Sequence, residues 1–177
     1  MIQGEDVEKI IAVRFAGCLK SLEEISGGIC KDPKNRLYYS YDCIEESDCK
    51  AYCLERLHTP DLILFKKKGI IFVEFKGGKV ENISWNEVKL KAIEGGFVIL
   101  NEIVSRMKND LKPQDIFNLN KYFILVYSTG DREIEFIKHH IKKLEGVITR
   151  YKKPFFKDVF VISCEVFEEK FVKNNKG

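Results

Sequence analysis

With 177 residues, 45% hydrophobic and 32% charged, the chain has the length of one domain and enough apolar material for a real core, which excludes a disordered, collagen-like or low-complexity protein. Thirty basic against 27 acidic residues give a net charge of +3, too mild to mark a nucleic-acid binder by itself, yet the charge is uneven: residues 1–61 carry a net of −4 and the remaining 116 carry +7. No apolar stretch approaches the ~20 residues of a membrane span, and the opening Met-Ile-Gln-Gly-Glu-Asp lacks the basic start and apolar run of a secretory signal. A cytoplasmic protein without membrane contact, its six cysteines reduced, is the expectation.

The pattern Val7, Ile10, Ile11, Phe15, Cys18, Leu19 and Leu22 predicts a helix over 5–25, ending before Ser26-Gly27-Gly28. Leu37–Tyr41 reads as a short strand after the turn Asp32-Pro33-Lys34-Asn35, and Glu45–Leu57 as a short helix. From Leu62, Leu-Ile-Leu-Phe, three lysines with Gly69, and Ile-Ile-Phe-Val form a hairpin whose strands are apolar on both faces and therefore central in a covered sheet. Ser84 and Glu87 have the form of a capping box and open a long helix to about Lys108, in which Gly95-Gly96 marks close packing or a kink. A strand at Tyr122–Tyr127, a helix over about 133–144 and a strand at Val159–Val166 follow. The fold class is thus mixed α/β, one domain over 1–177 with a core at about 5–128, a C-terminal helix and strand to about 170, and a frayed tail at 171–177.

Pro60-Asp61 begins the first hairpin strand, and Glu74-Phe75-Lys76 ends the second. If the connection spans Lys66–Gly69, Asp61 falls opposite Glu74; a two-residue Lys68-Gly69 loop puts it opposite Lys76. Either way the parity keeps all three on one face, where opposed residues have Cβ atoms ~4.5–5.5 Å apart. Two carboxylates at the ends of apolar strands need a cation, and oxygen ligands without His or Cys between them suit Mg²⁺ or Mn²⁺. Phosphate hydrolysis is the matching chemistry, with Lys76 orienting the attacking water or offsetting developing charge.

Pro60-Asp61, a twelve-residue gap across a hairpin and Glu74-Phe75-Lys76 resemble the PD-(D/E)XK nuclease superfamily, which includes restriction endonucleases and Holliday-junction resolvases. The resemblance implies a restriction endonuclease-like αβββαβ core with a mixed sheet between helices. It implies a Mg²⁺- or Mn²⁺-dependent nuclease acting on DNA rather than RNA, and a homodimer for many such enzymes. It assigns the metal to Asp61 and Glu74, with Glu8 on the first helix completing the site and Glu5 as runner-up. Lys89 would contact the scissile phosphate, with Lys91 second. An inactive relative, serving as a nucleic-acid-binding or protein-interaction module, is the rival reading.

Between Lys138 and Lys157 seven basic residues face one acid, Glu145, and within this run Lys142, Lys143, Arg150, Lys152 and Lys153 are the candidate nucleic-acid contacts. Cys30, Cys43, Cys49 and Cys53 precede the motif, but only the last two have the close spacing of a zinc site, so free thiols are expected. His58 reads as a turn residue, the His139-His140 doublet likewise, and Trp85 as a core or capping aromatic.

Overall fold

The computed structural model describes residues 2–52, 54–78, 82–108, 113–128, 134–153 and 155–173. Cys53 and the side chains of Trp85 and Lys138, which the sequence singles out, lie outside the described residues. The described chain forms a six-stranded mixed sheet in sequential order, β1 (Leu19–Ser21), β2 (Leu37–Ser40), β3 (Leu62–Lys66), β4 (Gly69–Lys76), β5 (Asn120–Tyr127) and β6 (Asp158–Ser163). Strands β1 to β4 pair antiparallel, whereas β4, β5 and β6 run parallel. Parallel neighbours need crossover connections, and helices supply them on the faces of the sheet.

The apolar runs on both faces of β4 follow from this two-sided cover. Ile70 and Phe72 join one core with Val7, Ile11 and Phe15 of α1 (Gly4–Phe15), Ile44 of α3 (Tyr41–Tyr52) and Val88 and Ala92 of α4 (Trp85–Ile93). Ile71, Val73 and Phe75 face the other core, with Leu22 of the short α2 (Leu22–Ile25), Leu62, Leu64 and Phe167 of α8 (Cys164–Phe167). No helix among the described residues is long and apolar enough to cross a membrane.

The first predicted helix is shorter than its pattern suggests. It ends at Phe15, and Ser21 with Glu24 forms a capping box that restarts the chain as α2, leaving Leu19–Ser21 to become edge strand β1. The long helix after the motif is continuous but contains a π-helical stretch, Glu94–Ile99, between α4 and α5 (Leu100–Met107). Its glycines are there for contact: a Cβ on Gly95 would lie 2.3 Å from Pro60 Cδ, and one on Gly96 would lie 3.1 Å from Phe156. After the short α6 (Pro113–Phe117), α7 (Ile134–Ile148) crosses from β5 to β6. The last predicted strand stops at Ser163, whose side chain accepts from the Val166 N–H and starts α8; a π-helical turn to Lys173 follows where fraying is expected.

Two disulfide bonds correct the expectation of reduced cysteines. Cys18 pairs with Cys43 and Cys30 with Cys164, at Cα separations of 5.4 and 5.7 Å. The partners are 25 and 134 residues apart, so only folding brings them together. Cys49 is the free cysteine among the described residues.

Candidate active site

The hairpin register decides what the sequence left open. Phe65 pairs with Ile70 and Lys66 with Gly69, so the turn is Lys67-Lys68 and the same register carries Asp61 level with Glu74. Glu74 and Lys76 continue the face of Ile70 and Phe72, and Asp61 continues that of Ile63 and Phe65. The three residues therefore share the face covered by α4. The Phe75 N–H donates to Asp61 Oδ2 at 2.7 Å, and the Tyr41 N–H donates to the Asp61 carbonyl at 3.0 Å, fixing the start of β3 between β4 and α3.

Two lysines converge on the carboxylates. Lys76 Nζ lies 3.0 Å from Glu74 Oε1, while Lys91 Nζ lies 2.9 Å from the same oxygen and 3.3 Å from Asp61 Oδ1. Lys76 also donates to Glu87, one helical turn before Lys91 on α4. An ammonium thus stands between the two carboxylates, in the position a bridging cation would take. Glu74 is buried, and neither of its carboxylate oxygens has a well-directed hydrogen bond despite the two ion pairs. Burial raises the Glu74 carboxyl to about 8, with Asp61 adding to the rise and the two lysines opposing it. Burial also raises Asp61, against Lys91 and the Phe75 N–H. Burial disfavours the charge on each lysine, but their carboxylate partners win and both are raised.

Two of the sequence assignments change. Lys89 points away from the cluster and donates to Asn86 Oδ1 at 3.3 Å; Lys91 is the helix lysine that reaches the carboxylates. Within α4 the core-facing residues are Val88 and Ala92, and Lys91 rather than Lys89 lies on the side toward the hairpin. Glu8 is not part of the site either. The start of α1 packs on the hairpin turn, where a Cβ on Gly4 would meet the Lys66 and Gly69 carbonyls, and the charges felt by Glu8 are those of Glu5 and Lys66. Lys66 is five residues along β3 from Asp61, on the order of 15 Å at the rise of a strand. Glu5, the runner-up, is exposed on the first turn of α1.

The sequence reading missed the third acid. Asp42, in the first turn of α3, accepts from Thr59 Oγ1, and its negative charge acts on both Asp61 and Lys91. The signal was its place directly after β2, the strand beside β3, but nothing local distinguishes it from a helix-starting acid. His58 pairs with Glu94 rather than with Asp61 or Glu74, its Nδ1 and backbone N–H lying 2.9 and 2.6 Å from Glu94 Oε2.

Of the basic residues, Lys142 and Lys143 are exposed on α7, and Arg150, Lys152 and Lys153 follow its end. This segment meets the sheet where the Lys157 N–H donates to the Lys121 carbonyl, at the start of β5. The carboxylates sit at the far end, since Glu74 is level with Leu125. Lys152 is paired with Asp158 at 2.9 Å. Comparison with protein-family models, curated proteins and solved structures finds no match for the chain.

The donor set fits a hard divalent cation: two carboxylates level across adjacent strands, a third nearby, and buried oxygens without directed hydrogen bonds. Asp61 and Glu74 would hold it.

Proposed function

We propose that the protein is a Mg²⁺- or Mn²⁺-dependent nuclease of the PD-(D/E)XK type that hydrolyses phosphodiester bonds in DNA, with RNA the less favoured substrate. The observation that carries this reading is the convergence of Asp61, Glu74 and Lys76 on one sheet face with Lys91 reaching in from the following helix. The order of α1, three antiparallel strands β2 to β4, the α4–α5 helix and the parallel β5 supports a restriction endonuclease-like core, with α7 and β6 as the elaboration.

A cation bound there would supply Lewis acidity and an acidified water. The chain does the rest. Asp61 and Glu74 would hold the cation, and Glu87 fixes the Lys76 ammonium beside Glu74, where it can orient a water for attack on phosphorus. The water oxygen would bond to phosphorus, its proton passing to solvent, as the phosphorus–oxygen bond to the leaving group breaks and the leaving oxygen takes a proton from solvent. Lys91, the one ammonium that touches both carboxylates among the described residues, would yield its place between them to the cation and is our choice for the contact with the scissile phosphate.

The Lys91 bridge also favours a second reading, an inactive fold in which a self-neutralising ion cluster joins the hairpin to α4. Mn²⁺ titration monitored by electron paramagnetic resonance separates the two. A nuclease binds Mn²⁺ in a manner abolished by Asp61→Ala, and cleaves plasmid or oligonucleotide DNA in Mg²⁺. No binding and no cleavage would leave the structural cluster.

A further inference from the structure

An aromatic group lies over the start of β5, well away from the carboxylates. Phe97, in the π-helical stretch, has its ring centroid 5.7 Å from Phe117, 5.2 Å from Phe155 and 5.5 Å from Phe156. Phe156 is buried and anchors the group against Phe72 and Phe123. Phe117 and Phe155, in contrast, are 49% and 38% exposed. Lys121 lies beneath, its ammonium 5.0 and 5.6 Å from the Phe97 and Phe117 centroids while it donates to the Ile116 and Phe117 carbonyls. One exposed phenylalanine is ordinary; two exposed rings, each held against Phe97 over a buried aromatic anchor with a lysine ammonium beneath, are a built surface.

In the segment that carries Phe155, Arg150, Lys153 and Lys157 are exposed, and Lys152 is partly exposed in an ion pair with Asp158. The composition argues for one kind of occupant. The core of a protein interface is depleted in lysine, whereas rings interleaved with basic side chains are what a single-stranded nucleic acid needs, bases for the rings and phosphates for the cations. A duplex keeps its bases stacked inside and offers the rings nothing. Along the helix that connects them, Lys91 and Phe97 lie six residues apart, on the order of 10 Å of rise.

We propose that Phe117 and Phe155 form a stacking platform for unpaired bases of a single-stranded nucleic acid, with Arg150, Lys152, Lys153 and Lys157 meeting its phosphates. Its role, delivering an unpaired strand or strand end to the carboxylates, rests on the nuclease reading; the binding does not.

The test is fluorescence anisotropy in EDTA, with a labelled oligothymidylate of about twelve nucleotides and a duplex of equal length, inside the range of known single-strand site sizes. Wild type should bind the single strand at least about tenfold tighter than the duplex. Phe117→Ala and Phe155→Ala should each weaken it about tenfold, since a stacked base contributes ~1–3 kcal/mol by alanine substitution. Phe117→Leu and Phe155→Leu keep apolar bulk but cannot stack, so they should bind as weakly as the alanine variants, and they carry the test if an alanine variant fails to fold. Equal affinity for strand and duplex, or leucine variants that bind like wild type, would overturn the platform and, in the second case, mark an apolar docking surface. Cleavage is scored separately in Mg²⁺. Strand binding without cleavage would refute the nuclease reading and leave the platform, whereas cleavage with binding indifferent to both leucine variants would refute the platform alone.

Discussion

Glu74→Gln separates a buried, functionally strained carboxylate from a merely structural one, and its effect can be worked from its surroundings. Burial and Asp61 raise the Glu74 carboxyl from 4.5 to about 8 in the folded protein. The unfolded chain releases this proton near 4.5, so between those values the folded form holds a proton that the unfolded form has lost. Its contribution to stability is therefore fullest below 4.5 and falls as the pH rises toward 8. At 1.36 kcal/mol per unit, the loss is about 5 kcal/mol over the whole window and about 3 kcal/mol by pH 7. Glutamine has nearly the same shape and no proton to lose, while Lys76 keeps Glu87 and Lys91 keeps Asp61 as partners. Urea unfolding followed by circular dichroism, repeated from pH 5 to 8, should show wild-type stability falling by several kcal/mol while Glu74→Gln stays nearly flat and is the more stable at pH 8. Mn²⁺ should restore wild type at pH 8, since a cation held by the ionised carboxylate binds only the folded state, and should do little for the variant. Parallel pH profiles for the two proteins would refute the reasoning.

Cleavage, measured on plasmid DNA, should vanish in EDTA, return with Mg²⁺ or Mn²⁺, and be lost in Asp61→Ala and Lys76→Ala, with only the first also losing Mn²⁺. Lys91→Met should abolish cleavage whereas Lys89→Met retains it, and the reverse pattern would return the assignment to Lys89. Gly95→Ala should lower the unfolding free energy by about 1–3 kcal/mol in urea titration, because its Cβ would meet Pro60 at 2.3 Å. Burial holds the Lys121 ammonium down to about 8, so the unfolded chain binds its proton more tightly; stability should rise between pH 8 and 10.5, and Lys121→Met should remove that rise in the same unfolding assay.

What sequence determines here is set by short-range periodicity. Alternation places Glu74 with Lys76 on the face of Phe72 whatever the rest of the fold does, and the paired apolar runs around Lys66–Gly69 leave a hairpin as the natural solution, bringing Asp61 to the same face for any loop of even length. The central strands and the helix from Ser84 were legible for the same reason. The tertiary structure decided everything that depended on distance or helical phase. The turn at Lys67-Lys68 chose Glu74 over Lys76 as the residue level with Asp61. Packing of Gly95 on Pro60 and Gly96 on Phe156 accompanies a π-helical stretch that no 3.6-residue pattern anticipates, and the docking of α4 on the sheet turns Lys91 rather than Lys89 to the carboxylates. Docking of α1 on the hairpin turn carried Glu8 away from the site, and pairing of β2 with β3 brought Asp42 toward it. Cys30 and Cys164 meet across 134 residues for the same reason. Side-chain parity is a property of a few consecutive residues, but the neighbours a side chain meets belong to the packed layers, which form only when distant segments bury one another.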